Sequence, residues 1–362
     1  MVTDQILKTS KVCIQKATYS NINLASLLKP LGGIRKFVDK GDRVLLKVNL
    51  LTASTPDSAV VTHPALVRAI AEAVLKAGGI PYIADSPSRE FSKGRLKKAY
   101  EAAELISIAN DLGIELNYDT SSNKVSIPNG KKIKKAPIAK FVLDADKIIA
   151  LPKVKTHSLM MMTLATKIMY GAIPGLTKAK YHSMYMKRRS FANMLLDILT
   201  VVPPDLIIMD GILAMQGDGP FSGIPFDLNL LLASKDYIAM DLAVCEILGL
   251  EPVGIPTLKQ AKLRGWWPNN VQYPLLSPSE VKYPGFILPS TAGYLLTGKK
   301  RPAKYPTINQ KCTACGDCEK VCPANAAKVV NKHAEINYSN CIRCYCCHEV
   351  CPENAIDLRV LE

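Results

Sequence analysis

The sequence predicts two domains: a large α/β domain with a mostly parallel, doubly wound sheet, followed by a small α+β domain rich in cysteine. Three observations support this prediction. Over the first 250 residues, short runs rich in Val and Ile alternate with longer helical patterns. The length of 362 residues exceeds that of one ordinary hydrophobic core. Nine of the eleven cysteines lie between residues 312 and 351.

The elements of the large domain follow from apolar patterning. The predicted strands are short apolar segments at Val12–Ala17, Arg43–Val48, Ile80–Ala84, Lys147–Leu151, Asp205–Met209 and Leu228–Ala233. The clearest helix is Pro64–Ala77, because proline suits a first turn, an apolar stripe follows at helical spacing, and Gly78-Gly79 ends it. Further helical patterns cover Leu96–Leu112, Met160–Tyr170, Arg189–Leu199 and Tyr237–Leu248.

The regular pattern lapses from Trp266 to Pro306, where seven prolines exclude long helices or strands. Aromatic residues within this segment indicate that it packs on the body of the protein. We therefore predict an α/β domain over residues 1–265, a Pro-rich connector over 266–306 and the small domain over 307–362.

Two cysteine runs dominate the small domain, and each has the spacing C-x2-C-x2-C-x3-C-P. That spacing is typical of bacterial ferredoxins with two clusters, in which the fourth cysteine of each run binds the other run's cluster. We therefore predict a ferredoxin-like domain with two [4Fe-4S] clusters and single-electron transfer. The predicted ligand sets are Cys312, Cys315, Cys318 and Cys351 for one cluster, and Cys341, Cys344, Cys347 and Cys322 for the other.

Other roles for these cysteines fit the spacing less well. A zinc site uses two separated cysteine pairs rather than three cysteines in continuous spacing. A disulfide framework needs an oxidising compartment, whereas Met1-Val2-Thr3-Asp4 begins no secretory signal. We expect Cys13 and Cys245 to be buried thiols in the core, and Cys346 to be a packing thiol or a hydrogen-bonding neighbour of a cluster.

The net charge of +15 belongs almost entirely to the large domain, since residues from Thr307 onward carry six Lys or Arg against seven Asp or Glu. Nucleic acid is an improbable partner, because no basic stripe with interleaved aromatic residues is present. A small anionic ligand, or an acidic soluble electron donor or acceptor, explains the charge with fewer assumptions.

We expect a cytoplasmic protein without a membrane span. The most apolar helical stretch, Leu159 to Leu176, is interrupted by Lys167, Gly171 and Pro174, whereas a span needs about 20 mostly apolar residues. The sequence also lacks a P-loop, a dinucleotide-binding glycine motif and a nucleophile elbow, so nucleotide and hydrolase functions lose their usual support.

Polar side chains follow several predicted strands at the point where each strand ends. In open α/β sheets, ligands bind beyond the carboxyl ends of the strands. His63 also precedes the helix that begins at Pro64, whose free N–H groups favour an anion. We therefore predict a binding site for a cofactor or ligand from Lys47, Asn49, His63, Asp85 and Ser86.

A catalytic site is predicted from the close spacing of Lys153, Lys155 and His157. Alternate residues of an extended strand share a face, so the two ammonium groups would hold one carboxylate or phosphate. His157 would donate a proton. Asp210 and Asp218, beside glycines, would orient the ligand or hold a cation. Ordinary loop charges and turn chemistry are the alternative for both groups.

Six segments carry a resemblance to a known family: KVNLL from Lys47, VTHPALVRAI from Val61, ADSPS from Ala84, LPKVKTHSLMMMTLATKIMYGAIPG from Leu151, MDGILAMQGDGP from Met209 and ASKDYIAMDLAVCEILGL from Ala233. Together they resemble the family called domain of unknown function 362. Its members often end in a dicluster ferredoxin with a second run similar to CIRCYCCHEVCP, and they occur mainly in anaerobic bacteria and archaea. The resemblance supports the predicted site positions and names no substrate.

Two functions fit these observations. The first is an oxidoreductase whose clusters pass low-potential electrons to a small anionic substrate or cofactor at the strand ends. The second is a non-enzymatic electron carrier whose basic domain docks an acidic redox partner. An enzyme should have a closed, polar-lined cavity close to one cluster, whereas a docking module should have a broad basic surface. A third possibility is that the clusters are structural or sensory.

Overall fold

A computed structural model describes residues 9–88, 90–293 and 303–361. The α/β domain is built on one large sheet with strands of two to eleven residues. Its strands are β1 (Thr9–Lys16), β2 (Arg43–Val48), β3 (Ile80–Ala84), β4 (Glu115–Leu116), β7 (Lys147–Leu151), β8 (Lys153–His157), β9 (Met161–Met162), β10 (Leu206–Gln216), β11 (Ile224–Ser234) and β12 (Asn270–Gln272). A separate antiparallel hairpin lies between β4 and β7 and consists of β5 (Ser122–Ser126) and β6 (Lys135–Ala139).

The sheet runs in the order β12-β1-β11-β10-β7-β2-β3-β4, and β8 pairs with β10 beyond the end of β7. Strands β10, β7, β2, β3 and β4 are mutually parallel. Strand β11 is antiparallel to both β1 and β10, so the sheet is mixed on that side. The predicted α/β fold with a mostly parallel sheet is confirmed, and all six predicted strands are present.

Helices surround this sheet. They are α1 (Leu24–Leu28), α2 (Pro64–Ala77), α3 (Lys93–Ala102), α4 (Leu105–Leu112), α5 (Lys140–Leu143), α6 (Leu164–Ile168), α7 (Thr177–Met184), α8 (Arg188–Leu199), α9 (Tyr237–Ile247) and α10 (Pro256–Leu263). Two separate hydrophobic cores result, one beneath α2 to α4 and the other beneath α6 to α9. Helices on both faces are what a doubly wound sheet requires.

Helix α2 begins and ends as predicted. Its first turn contains Pro64, and Gly78 ends it with a φ of 95°, a conformation that glycine adopts without strain. Two other helical predictions are wrong in extent. The Leu96–Leu112 pattern is split at Glu104, which has a φ of 57°. The Met160–Tyr170 pattern holds a short strand, a five-residue helix and a 3-10 turn, because a buried Asp241 carboxylate caps α6 at Ala165 and Thr166.

The small domain has two antiparallel strand pairs and two short helices. Strand β13 (Lys304–Ile308) pairs with β16 (Ile356–Val360), and β14 (Ala327–Val330) pairs with β15 (His333–Ile336). Each cysteine run enters a helix, α11 (Asp317–Val321) or α12 (Cys346–Val350).

The small domain packs on the α/β domain through α7. Ala179 of α7 contacts Val321 and Val350, which lie on the two helices of the small domain. Polar contacts add to this interface, with 3.1 Å between Arg95 and Asp317 and 2.7 Å between Ser222 and Asn354. The small domain is therefore in direct contact with the carboxyl edge of the large sheet.

The Pro-rich connector contains only short elements within its described residues, among them β12 and 3-10 turns at Pro278–Val281 and Ser290–Ala292. Its aromatic residues pack on the body, as in the contact of Tyr283 with Phe226, whose ring centroids lie 4.6 Å apart. Residues 294–302 of the predicted connector lie outside the described residues, as do Met1-Val2-Thr3-Asp4. Among the described helices, none is long and apolar enough to cross a membrane.

One buried carboxylate fixes the hairpin β5–β6 to the helices. Asp197 on α8 accepts hydrogen bonds from the backbone N–H groups of Lys131, Lys132 and Ile133. The Arg264 guanidinium lies 2.8 Å away and completes the set of donors. The basic segment from Lys131 to Lys135 is therefore an exposed turn folded around a buried acid.

We expect Asp197→Ala to destabilise the protein strongly. The change leaves the buried Arg264 charge and three N–H groups without their acceptor, a loss that typically costs about 3–5 kcal/mol. Thermal unfolding of the anaerobic protein measures it. The control is Glu115→Gln, which breaks the exposed Arg43–Glu115 pair and should cost about 1 kcal/mol or less. Equal effects of the two substitutions would contradict this account.

Candidate functional site

The eight predicted ligand cysteines form two sets in the structure. Cys312, Cys315, Cys318 and Cys351 line one cavity. The other cavity is lined by Cys322, Cys341, Cys344 and Cys347, together with Cys346. The fourth cysteine of each run thus lies with the first three of the other run, which is the arrangement that the spacing predicts.

The surroundings of these cysteines fit iron–sulfur clusters. Backbone N–H groups donate to three of the sulfur atoms, at 3.1 Å for Cys322, 3.2 Å for Cys351 and 3.4 Å for Cys312. Such donors stabilise negative charge on sulfur and tune cluster potentials. Among the described residues, no three His, Cys, Asp or Glu side chains converge as they would on a single metal ion.

A third cavity lies at the carboxyl edge of the large sheet, and three lysines line it. Lys155 comes from β8, Lys167 from α6 and Lys178 from α7. The cavity has a volume of about 50 Å³. Its remaining polar lining includes Asn49, Asp85, Ser86, Ser88, Thr163 and Tyr170, and Pro220 contributes to the wall. We call this space the lysine cavity.

An ion pair forms one wall of the lysine cavity. The Lys47 amine lies 2.8 Å from Asp85, and both side chains are buried. The Asp85 carboxylate also accepts the N–H groups of Leu50 and Ser86. Gly171 covers this pair so closely that an added Cβ would lie 2.1 Å from the Asp85 carboxylate and 2.3 Å from the Lys47 amine. The charge of Asp85 is therefore largely satisfied within the wall.

The three cavity lysines are held differently. The Lys178 amine donates to the Ser86 carbonyl and hydroxyl and to the Pro87 carbonyl. The Lys155 amine donates to the Val60 carbonyl at 2.7 Å. Lys167 places its amine 5.6 Å from the centre of the Tyr170 ring. Burial lowers the pKa of both Lys155 and Lys178 to about 7, and it also lowers the pKa of Lys167, against the opposing charge of Glu349.

The lysine cavity adjoins the second cysteine set. Glu349 follows two residues after Cys347 on α12 and is buried against the large domain. The charges of Lys167 and Lys155 partly oppose the effect of burial, which raises the pKa of Glu349 to about 7. Cys346 acts on Lys167 and Tyr170 from the same side. Glu349 and Cys346 of the small domain are therefore close enough to Lys167 to act on its charge.

His157 does not lie in the cavity, contrary to its predicted role as a proton donor to a ligand. It is fully buried, and its Nδ1 accepts the N–H groups of Leu159 and Met160. Burial keeps the pKa of His157 well below its usual range, so the ring is neutral and its proton is on Nε2. That nitrogen lies 3.3 Å from Glu349 Oε1 without forming a hydrogen bond.

Lys153 and Asp210 form a second buried ion pair, 2.8 Å apart, which is separate from the lysine cavity. Tyr19 also donates to Asp210, as do the N–H groups of His63 and Ile212. Because its oxygens are occupied, Asp210 does not orient a ligand or a cation in this structure. The expectation that Lys153 and Lys155 face one anion is also wrong, since their amines contact different partners.

His63 and Asp218 lie elsewhere than predicted. His63 caps α2 by accepting the Ala65 N–H, and its ring stacks on Tyr19 with centroids 3.5 Å apart. The anion that its helix end was expected to attract is the protein's own Asp210. Asp218 accepts the Ser290 N–H, and its carbonyl lies 3.2 Å from His348 Nε2, so it joins the connector and the small domain.

Tyr19 and His63 instead border a wide groove of about 620 Å³ on another part of the surface. Three carboxylates, from Asp57, Glu104 and Asp227, contribute to its lining. The predicted residues thus do not form one site. The lysine cavity receives Asn49, Asp85, Ser86 and Lys155, with Lys47 behind Asp85.

Sequence reasoning missed three residues of the lysine cavity, Lys167, Lys178 and Tyr170. A signal was present for Lys167, because a lysine that interrupts an apolar helical stretch is costly to bury and therefore indicates a role. Lys178 lies in a polar segment, and its burial depends on contacts with Ser86 and Pro87, which are distant in sequence.

Pairs of cysteine substitutions test the ligand sets. We expect the wild type to bind about eight irons, and Cys322→Ala with Cys341→Ala to retain about four, because both residues belong to one cluster. The matched pair Cys322→Ala with Cys312→Ala should lose nearly all iron, since it damages both sets. Iron analysis of anaerobically purified protein measures this, and equal iron content in the two double variants would refute the sets.

Comparisons with known proteins agree with this organisation. The model of a domain of unknown function, DUF362, matches residues 44–246, and that of a 4Fe-4S dicluster domain matches residues 306–352. A thylakoid-associated protein of Synechocystis sp. is 36% identical over 276 residues, covering 74% of this chain and 82% of that protein.

Among solved structures, the lactate racemase apoprotein from Thermoanaerobacterium thermosaccharolyticum aligns with 14% identity and a TM-score of 0.40, over 58% of this chain and 49% of that chain. The chain thus spans about half the length of that protein. The dicluster match includes every cysteine of the two sets, so the predicted pair of [4Fe-4S] clusters is supported. The chain belongs to the DUF362 family and carries a C-terminal domain that holds two [4Fe-4S] clusters for electron transfer.

Proposed function

We propose that this protein is an oxidoreductase that passes electrons from a soluble donor, through its clusters, to a small anion in the lysine cavity. In this proposal residues 307–362 form the electron-transfer domain, residues 1–265 form the substrate domain and 266–306 connect them. The observation that carries the proposal is the convergence on one cavity of two buried lysines, Lys155 and Lys178, and the half-buried Lys167, near the second cysteine set. The expected cytoplasmic location is part of the proposal.

The charge of the cavity favours an anion. Lys155, Lys167 and Lys178 line it, while the carboxylate in its wall, Asp85, is already paired with Lys47. Buried ammonium groups are costly unless an opposite charge compensates them. A bound anion would provide that compensation, so its negative charge would stabilise the protonated lysines.

The size of the cavity limits the substrate. One water molecule requires about 10–15 Å³ of such space, so about 50 Å³ holds roughly three to five non-hydrogen atoms. A small oxyanion or a short carboxylate fits this limit. Nucleotides and other large phosphate esters are too large for the cavity.

The residues of the chain have distinct roles in this proposal. Lys178, held by Ser86 and Pro87, places its amine in a fixed position in the wall of the cavity. Tyr170 donates to the Lys178 carbonyl at 2.9 Å and lines the cavity. Glu349 of α12 is buried 3.3 Å from His157 of β8, so the small domain reaches this edge of the sheet. When bound, the clusters supply single electrons at low potential.

An electron carrier that only docks a partner would not require lysines that converge on one small cavity. Uncompensated burial of lysine is unfavourable, so proteins tolerate it chiefly where function needs it. The lysine cavity therefore favours an enzyme over the carrier. The carrier is the outcome if no small anion binds.

Removing one cavity lysine should weaken anion binding. We expect Lys178→Gln to reduce the affinity for nitrate, formate or glycolate by about 10-fold to 100-fold, since a charged hydrogen bond contributes about 1.5–3 kcal/mol. Isothermal titration calorimetry of the oxidised holoprotein measures the affinity. The control is Lys180→Gln, which removes an exposed lysine from the same helix and should leave the affinity unchanged.

Turnover is tested with the same variants after photochemical reduction of the clusters. Substrate anions should reoxidise the wild type and Lys180→Gln faster than Lys178→Gln, as followed by cluster absorbance. If none of a panel of small oxyanions and carboxylates binds or reoxidises the wild type, the enzyme proposal fails and the carrier replaces it.

Anion affinity should also fall as the pH rises. Lys155 and Lys178 have pKa values of about 7, and an anion binds their protonated forms, so binding is strongest below pH 7 and weakens above it. The charged groups that act on these amines are Lys47, Lys153, Lys167, Asp85 and Glu349. Nitrate titrations between pH 6 and pH 9 measure the effect, because nitrate itself does not titrate there. A flat profile would contradict a role for these two lysines.

A further inference from the structure

Lys155 differs from the other buried lysines in its lack of compensating partners. Lys47 and Lys153 each contact a carboxylate at 2.8 Å. Lys178 donates to three oxygen atoms. Lys155 donates to one backbone carbonyl and, among the described residues, forms no ion pair.

The neighbours of Lys155 disfavour its charged form. After burial, the largest influences on its pKa are the positive charges of Lys167 and Lys153, and both lower it. For Lys167, in contrast, the largest influences after burial are Glu349 and Asp85, which favour the ammonium form. A lysine that is buried beside other cations is the arrangement that gives a neutral, nucleophilic amine near pH 7.

The position of Lys155 suits a nucleophile. Its side chain lines the lysine cavity, and the charges of Lys167 and Lys178 lie on other walls of the same space. A ligand with a carboxylate and an adjacent carbonyl group could place the carboxylate against Lys167 and Lys178. Its carbonyl carbon would then face the Lys155 amine, which donates to a single backbone carbonyl, that of Val60.

We propose that Lys155 forms an imine with a small carbonyl-bearing carboxylate bound in the lysine cavity. The neutral amine nitrogen attacks the carbonyl carbon, the carbon–oxygen bond breaks, and the oxygen leaves as water with the two hydrogens of the amine. The nitrogen–carbon double bond replaces the carbon–oxygen double bond, so no electrons are gained or lost. This inference rests on the proposed substrate cavity and narrows its substrate to 2-oxo carboxylates and aldehyde acids.

Glyoxylate is the probe, because its five non-hydrogen atoms match the size limit of the cavity. The oxidised holoprotein is incubated anaerobically with glyoxylate and cyanoborohydride at pH 7, and peptide mass spectrometry locates the reduced adduct. We expect Lys155 to be modified at least ten times faster than the exposed Lys180 in the same sample. Glycolate, which has the same number of non-hydrogen atoms and no carbonyl group, should protect Lys155 and leave the modification of Lys180 unchanged.

Because the adduct is located on the wild-type protein, the test does not depend on whether a variant folds. As a second measurement, Lys155→Arg, whose guanidinium forms no such imine, should lose the protected adduct. The imine proposal is overturned if Lys155 is modified no faster than Lys180, or if glycolate does not protect Lys155. Calorimetric binding of glycolate in the same preparation separates the imine proposal from the proposed substrate cavity. If glycolate does not bind, the substrate cavity itself is overturned.

Discussion

The cost of burying ammonium groups governs the carboxyl edge of this sheet. Lys47, Lys153, Lys155 and Lys178 are all almost completely buried. Each would lose hydration that no apolar contact replaces. The fold compensates by fixed partners: Asp85 for Lys47, Asp210 for Lys153, and carbonyl or hydroxyl oxygens for the others. The edge is therefore a rigid polar layer rather than a set of mobile loop charges.

This polar layer has two parts with different properties. Both oxygens of the Asp210 carboxylate accept hydrogen bonds. The donors are Lys153, Tyr19 and the backbone of His63, so this carboxylate links β1, α2 and β10. Around the lysine cavity the positive charge exceeds the negative charge of the wall, and space remains for a small molecule. Charges with fully occupied partners and charges that line a cavity thus lie side by side on one sheet edge.

Features that depend on the spacing of residues along the chain could be predicted from the sequence. Cysteine spacing determined the two ligand sets, and apolar periodicity located helix α2 and the six main strands. Side-chain partners were not predictable, because Lys153 and Lys155 are two residues apart yet contact Asp210 and Val60. The predicted helix Met160–Tyr170 is longer than α6, because the acid that caps α6, Asp241, is distant in sequence. The cavity lysines Lys167 and Lys178 come from helices whose approach to β8 is a tertiary property.

Gly171 shows how tightly the layer is built. Even one methyl group at this position would collide with both members of the Lys47–Asp85 pair. A homologous chain with a larger residue here must therefore have lost the pair or moved the backbone away from it. The identity of this single residue can consequently sort homologous proteins into those that share this wall and those whose chemistry has diverged.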